Sequence, residues 1–177
     1  MAGNPRSTLS LRHFLPDMVY GANDGLITTF AIVAGVTGAG LSMTVVLILG
    51  FSSLLADGFS MATSSYLAQR TPTGDESQTG TRHAARHALA TFAGFVLPGI
   101  VPLLAYLLPV PVDLRFIIAA IMTFIMLFII GVGRGLAAGL PALRAGLEML
   151  LVGALAAGVA FGVGALGAML VDGGLIG

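Results

Sequence analysis

The chain has no cysteine among its 177 residues. That excludes disulfides, thiolate metal ligands and thiol nucleophiles. It has no lysine either; all eight of its basic residues are arginine. With so much Ala and Gly, this usage points to a GC-rich bacterial genome, and so to a bacterial inner membrane as the location. Charge of either sign is scarce, with only 9% of residues charged against 56% hydrophobic. A soluble domain carries roughly a quarter charged residues, and one of this size must still cover itself with a polar surface. Lipid needs no such cover. The formal net charge is zero, so there is no basic footprint for nucleic acid. No nucleophile–base pairing or cofactor motif is present, and the chain is not read as an enzyme.

What is there is five long apolar runs. A membrane-spanning helix needs about 20 mainly apolar residues. Five runs qualify, at about 18–38, 43–69, 87–108, 116–138 and 144–170. The expected fold is an all-α integral membrane protein, with a cytoplasmic segment over 1–17 and a single five-helix domain over 18–177. The first 17 residues are polar and lack the apolar core of a cleavable signal peptide, so the first span is expected to remain. Pro98 and Pro102 should kink or break the third span. All the connections are short. Arg70 to Arg86 is expected to be a loop, and the end of the second span, Ser64 to Arg70, to project beyond the hydrocarbon.

Arginine sets the orientation. Arg6, Arg12, Arg70, Arg82, Arg86, Arg134 and Arg144 fall on one side, and Arg115 alone falls on the other. Cytoplasmic segments are enriched in Lys and Arg, so the N-terminus is expected inside and the C-terminus outside. Small residues recur on the last span at Gly153, Ala157, Gly158, Gly162, Ala165 and Gly167. They allow close helix packing and, as an alternative, a dimer face.

Of the eight acidic residues, Asp75, Glu76, Asp113 and Asp172 read as solvated, and Asp17 sits at the first membrane interface. Asp24, Asp57 and Glu148 lie within apolar segments. An Asp at a helix centre costs about 2.5–3.5 kcal/mol on insertion scales, so such residues usually face a partner or a wet pathway. No span offers an arginine at mid-depth. Arg12 to Asp24 is about 18 Å of helix and Arg70 back to Asp57 about 20 Å, at 1.5 Å per residue. The two helices run antiparallel, so both carboxylates should lie at similar depth. Residues three and four apart share a helical face. That places Ser53, Ser60, Met61 and Ser64 with Asp57, and Thr28, Ala31 and Gly35 with Asp24. Two polar, small-residue faces suggest a narrow path. Carboxylate and hydroxyl oxygens suit hard or intermediate divalent ions, and a thioether favours the later transition metals. Met61 taken alone reads more readily as packing than as a ligand. Glu148 either pairs with Arg144 four residues earlier or serves proton or ion access. His83 and His87 have the spacing of a metal pair. Beside Arg82 and Arg86, however, they are read as a solvated basic helix start.

These residues carry a family resemblance. "DMVYGANDGLITTFAIVAG", Asp17 to Gly35, resembles the first helix of the vacuolar iron transporter family. "LLADGFSMATSSYLAQR", Leu54 to Arg70, resembles its second, and "GLEMLLVGALAAGVAF", Gly146 to Phe161, its fifth. The resemblance covers nearly the whole chain. It implies a homodimer of five-helix protomers with a path on the dimer axis, exporting Fe²⁺ or Mn²⁺ from the cytosol in exchange for protons. No permanently bound cofactor is expected. The family's pore carboxylate falls on Asp24 and its pore methionine on Met61, with Asp57 one turn before that methionine. Three features depart from the family pattern. Only Arg70 to Arg86 stands where many members carry a Glu-rich cytoplasmic metal-gathering domain. Ser65 replaces an acidic residue, and Pro16 replaces an arginine. A same-fold transporter of a non-metal substrate and a non-transporting membrane interaction protein are the rival readings.

Overall fold

A computed structural model describes residues 11–71 and 80–173, with side chains from Phe14 onward. It contains α1 (Leu11–Gly38), α2 (Met43–Arg70), α3 (Thr81–Gly99), α4 (Val101–Leu107), α5 (Val112–Ala138) and α6 (Ala142–Asp172). There are five spans among the described residues, because α3 and α4 together form one, Thr81–Leu107. The chain is an all-α, multi-pass membrane protein. In hydrocarbon every backbone N–H and C=O must be satisfied within its own segment, and apolar helices achieve this.

Surface composition makes the membrane assignment concrete. Ile117, Ile121, Ile125 and Ile129 form an exposed stripe on α5, and Leu147, Leu151, Leu155 and Val159 another on α6. Water-soluble monomers rarely expose contiguous apolar patches of this extent. The buried core is thin by comparison. It centres on Leu26 and Phe30 of α1, Leu54 of α2, Phe95 of α3, Leu103 of α4 and Leu127 of α5.

Helix α1 touches every other helix and is the axis of the protomer. Two close approaches hold it there. At Gly25 a Cβ would overlap the backbone of Phe95, so α1 and α3 meet backbone to backbone. At Gly164 a Cβ would overlap the Gly35 carbonyl, which brings the C-terminal half of α6 onto α1 in the same way. Small residues make both contacts possible.

The span boundaries extend the sequence reading. The third span begins at Thr81, not near residue 87, so 81–86 is helix where a loop was expected. The apolar run marks only what can sit in lipid, whereas polar residues readily extend the helix beyond it. For the same reason α1 already runs through 11–17 and continues past Pro16, and the last span reaches Asp172 at its C-terminal end. The expected break in the third span is present. Pro98 and Pro102 lack the N–H groups that would bond one turn back, and α3 gives way to α4 at Ile100. Asp75 and Glu76 lie outside the described residues.

Candidate functional site

Asp24 lies half-buried on α1. Thr28 Oγ1 approaches its Oδ1 at 3.4 Å, one turn further along. Asp57 lies half-buried on α2 and accepts a 2.6 Å hydrogen bond from Ser53 Oγ. The two carboxylates lie on helices that touch each other, α1 and α2. Among the described residues neither takes part in an ion pair.

The polar face around Asp57 is divided. The buried side of α2 is formed by Val46, Gly50, Leu54 and Gly58, and Met61 packs beside it against the core. Ser60 and Ser64 turn outward and are exposed on the protomer. Asp57 and Ser53 sit on the edge between these two sides. On α1 the face of Asp24 is closed at one end. A Cβ on Gly35 would stand 3.3 Å from the Ala160 carbonyl of α6, so Gly35 is a packing position. Asp24 and Thr28 lie nearer the arginine-rich end, where α6 has diverged from α1. No cluster of three or more His, Asp or Glu side chains converges among the described residues.

Glu148 bonds to Arg144 at 3.1 Å, as the spacing suggested. It also bonds to Arg134 at 3.2 Å, a partner on α5 that helical spacing could not reveal. All three stand at the arginine-rich end. Glu148 and Arg134 border an open cleft of about 1100 Å³ between α1, α5 and α6, with Tyr20 and Asn23 on its α1 side.

The histidine pair corrects the sequence reading. His87 is not solvated; it is 5% exposed. Its Nδ1 lies 2.5 Å from Asp17 Oδ2 on α1, and its Nε2 lies 3.2 Å from His83 Nε2. The arginines at 82 and 86 suggested a wet helix start. On a helix, though, positions 83 and 87 share a different face from 82 and 86, and that face packs against α1. Asp17, read only as an interface residue, is the partner that sequence reasoning missed.

The VIT family model matches residues 15–79 and 71–165. The chain belongs to the VIT family. Its two matched pieces meet over residues 71–79, between α2 and α3. A vacuolar iron transporter of Centaurea cyanus is 23% identical over 209 residues, covering 83% of this chain and 85% of that protein. That alignment is longer than this 177-residue chain, so the relative carries additional residues. Vacuolar iron transporter homolog 4 of Arabidopsis thaliana is 28% identical over 159 residues, with 81% and 79% coverage. A vacuolar iron transporter of Toxoplasma gondii is 46% identical, but over 55 residues. That is 31% of this chain and 18% of the relative's length.

Proposed function

We propose that this VIT family member exports a divalent transition metal, Fe²⁺ or Mn²⁺, from the cytosol as a homodimer, in exchange for protons. The observation that carries the reading is the Asp24–Asp57 pair. Two carboxylates lie half-buried on adjoining spans, with hydroxyls as neighbours and no ion-pair partner among the described residues. At hydrocarbon depth a carboxylate is neutralised by a proton or by a bound cation. A divalent cation displacing two protons from two carboxylates leaves the net charge of the site unchanged. Metal–proton exchange is therefore the transport cycle that adds least charge to a low-dielectric site. The names of the relatives, vacuolar iron transporters of plants and parasites, favour iron as the cargo.

Asp24, Asp57 and Met61 serve as metal-contacting residues, with Thr28, Ser53, Ser60 and Ser64 along the path. Three further points favour a dimer. Asp24 and Asp57 are each only half-buried in a single protomer, Ser60 and Ser64 are exposed, and no protomer alone assembles a three-ligand cluster among its described residues. A second copy, related by two-fold symmetry, would shelter these groups and double the ligand set. In this reading Glu148, held between two arginines at the cleft, contributes to proton or ion access at the cytosolic end.

The test is metal movement in proteoliposomes, with Fe²⁺, Mn²⁺, Co²⁺ and Zn²⁺ compared under an imposed proton gradient. Gradient-driven transport of Fe²⁺ or Mn²⁺ that is lost in Asp24→Asn supports the reading. Movement of none of the four metals by well-folded protein sinks it.

A further inference from the structure

The open cleft of about 1100 Å³ between α1, α5 and α6 lies at the arginine-rich end of the protomer, the end that positive-inside composition assigns to the cytoplasm. Its walls are apolar on all three helices, with Val19 from α1, Leu136 from α5 and Val152 from α6. Leu136 is 71% and Val152 52% exposed, so these walls run out into the lipid-facing surface. A water molecule occupies about 30 Å³. The cleft is therefore far larger than a hydrated ion needs, and apolar walls offer an ion no ligands. Neither Asp24 nor Asp57 borders it. The polar end of the cleft is cationic. Arg134 lines it, and Arg144 shares Glu148 with Arg134, so two arginines stand against one carboxylate. Arg134 is also short of acceptors. A guanidinium carries five N–H donors. Its Nη2 bonds to Glu148 at 3.2 Å, and its Nε is buried with no partner among the described residues. The side chain remains 40% exposed, which leaves an edge of the guanidinium open to a ligand.

We propose that this cleft holds an anionic phospholipid of the cytoplasmic leaflet, with its phosphate on Arg134 and an acyl chain along Val19, Leu136 and Val152. The planar fork of arginine matches phosphate oxygens, and basic pockets between transmembrane helices on the cytoplasmic side take such headgroups. Tyr20 and Asn23 supply neutral hydrogen-bonding groups on the α1 side, and tyrosine is enriched at headgroup depth. The surplus positive charge selects a headgroup of net negative charge over a zwitterionic one. Glu148 competes with the phosphate for Arg134, so this carboxylate sets the affinity of the site. A phosphate that draws Arg134 away also frees Glu148 for the proton or ion access assigned to it above. That consequence rests on the transport reading; the binding itself does not.

Native mass spectrometry of the full-length protein in mild detergent tests the site, with phosphatidylglycerol, phosphatidylcholine of the same acyl chains and inorganic phosphate as probes. Phosphatidylglycerol should bind at least about five-fold more tightly than phosphatidylcholine, the effect of roughly one basic residue at a membrane surface. Arg134→Gln should weaken it by at least about five-fold. Ala137→Phe keeps every charge but fills the cleft, which Ala137 lines, and should lose the lipid as well. Glu148→Gln removes the competitor and should strengthen binding several-fold, a gain that a merely structural role of the Arg134–Glu148 pair would not produce. Arg82→Gln removes the same charge from α3, which lines no part of the cleft, and should change binding by less than about two-fold at physiological salt. Equal losses in Arg82→Gln and Arg134→Gln overturn the proposal, because they report general charge attraction. So does phosphatidylcholine or inorganic phosphate binding as tightly as phosphatidylglycerol. Unchanged phosphatidylglycerol binding in Ala137→Phe overturns it too, and a lipid-free dimer would give the cleft to the second copy instead.

Discussion

Ser53 Oγ donates a 2.6 Å hydrogen bond to Asp57 Oδ2 from one turn earlier on α2. The serine therefore occupies one acceptor position of the carboxylate on Oδ2; in the proposed transport reading Oδ1 meets the cation. Hydrogen bonds to charged groups contribute about 1.5–3 kcal/mol, so the contact both orients and stabilises the anion. Asp57→Asn should lower transport at least ten-fold, whereas Ser53→Ala should lower it only about two- to ten-fold. Initial rates in proteoliposomes decide this. Equal and complete loss in both variants would mean that the pair is a structural unit.

Asp24→Asn keeps the side-chain shape and removes the charge. Transport of every metal should collapse while expression and size-exclusion profile stay unchanged. Unimpaired transport would remove Asp24 from the path. Failure to fold, matched by failure of Asp24→Glu, would make it a structural residue.

Packing makes a separate forecast. A methyl group at Gly25 would meet the Phe95 backbone, which cannot yield as a side-chain tip can. Gly25→Ala should destabilise the protein by about 1–3 kcal/mol or more, seen as a lowered unfolding temperature in detergent. Gly158 and Gly162, one turn apart on α6, have open space around a Cβ within the protomer. Alanine there should change protomer stability by less than about 0.5 kcal/mol. If either substitution shifts the proposed dimer towards monomer, this stripe of α6 belongs to the interface between copies.

Topology is testable because the chain lacks cysteine. Cysteines at Gly80 and Gly177 should label from opposite sides of the membrane in sealed cells. Gly80 accepts the change easily, with extended backbone (φ −59°, ψ 146°) and nothing near its Cβ. Labelling of both from outside would reject the five-span, N-inside arrangement.

The fold was legible in the sequence because hydropathy over 20 residues is a local property. The five spans, the break near Pro98 and the Glu148–Arg144 pair all follow from contacts within one segment. The limits were equally physical. Helix ends such as Thr81 lie in polar residues where hydropathy is silent. The Arg134–Glu148 and Asp17–His87 pairs join different helices, and no periodicity along one helix reports which residue faces which on another. Helical phase grouped Ser60 and Ser64 with Asp57 as one face, which the structure divides. It could not show that the core begins on the Met61 side of that face and leaves the serines outside.

Met61 tests the chemistry of the path and not only its location. It is half-buried one turn from Asp57 and packs against the core, so its sulfur and its volume both have a role to fill. Fe²⁺ and Mn²⁺ accept carboxylate oxygen, but a thioether favours the later and softer metals. If Met61 contacts the ion, Met61→Ala should weaken Fe²⁺ or Co²⁺ transport more than Mn²⁺ transport, whereas Asp24→Asn weakens all three. If Met61 only fills space, Met61→Leu, which nearly conserves volume at a cost under about 1.5 kcal/mol, should transport with wild-type selectivity. Met61→Ala should then lower every rate by the same factor through the cavity it leaves. Rates for three metals across these three variants separate the outcomes, since packing acts on the protein and cannot distinguish one ion from another. Wild-type selectivity in Met61→Leu would leave Asp24 and Asp57 as the ion-contacting groups and return Met61 to the core.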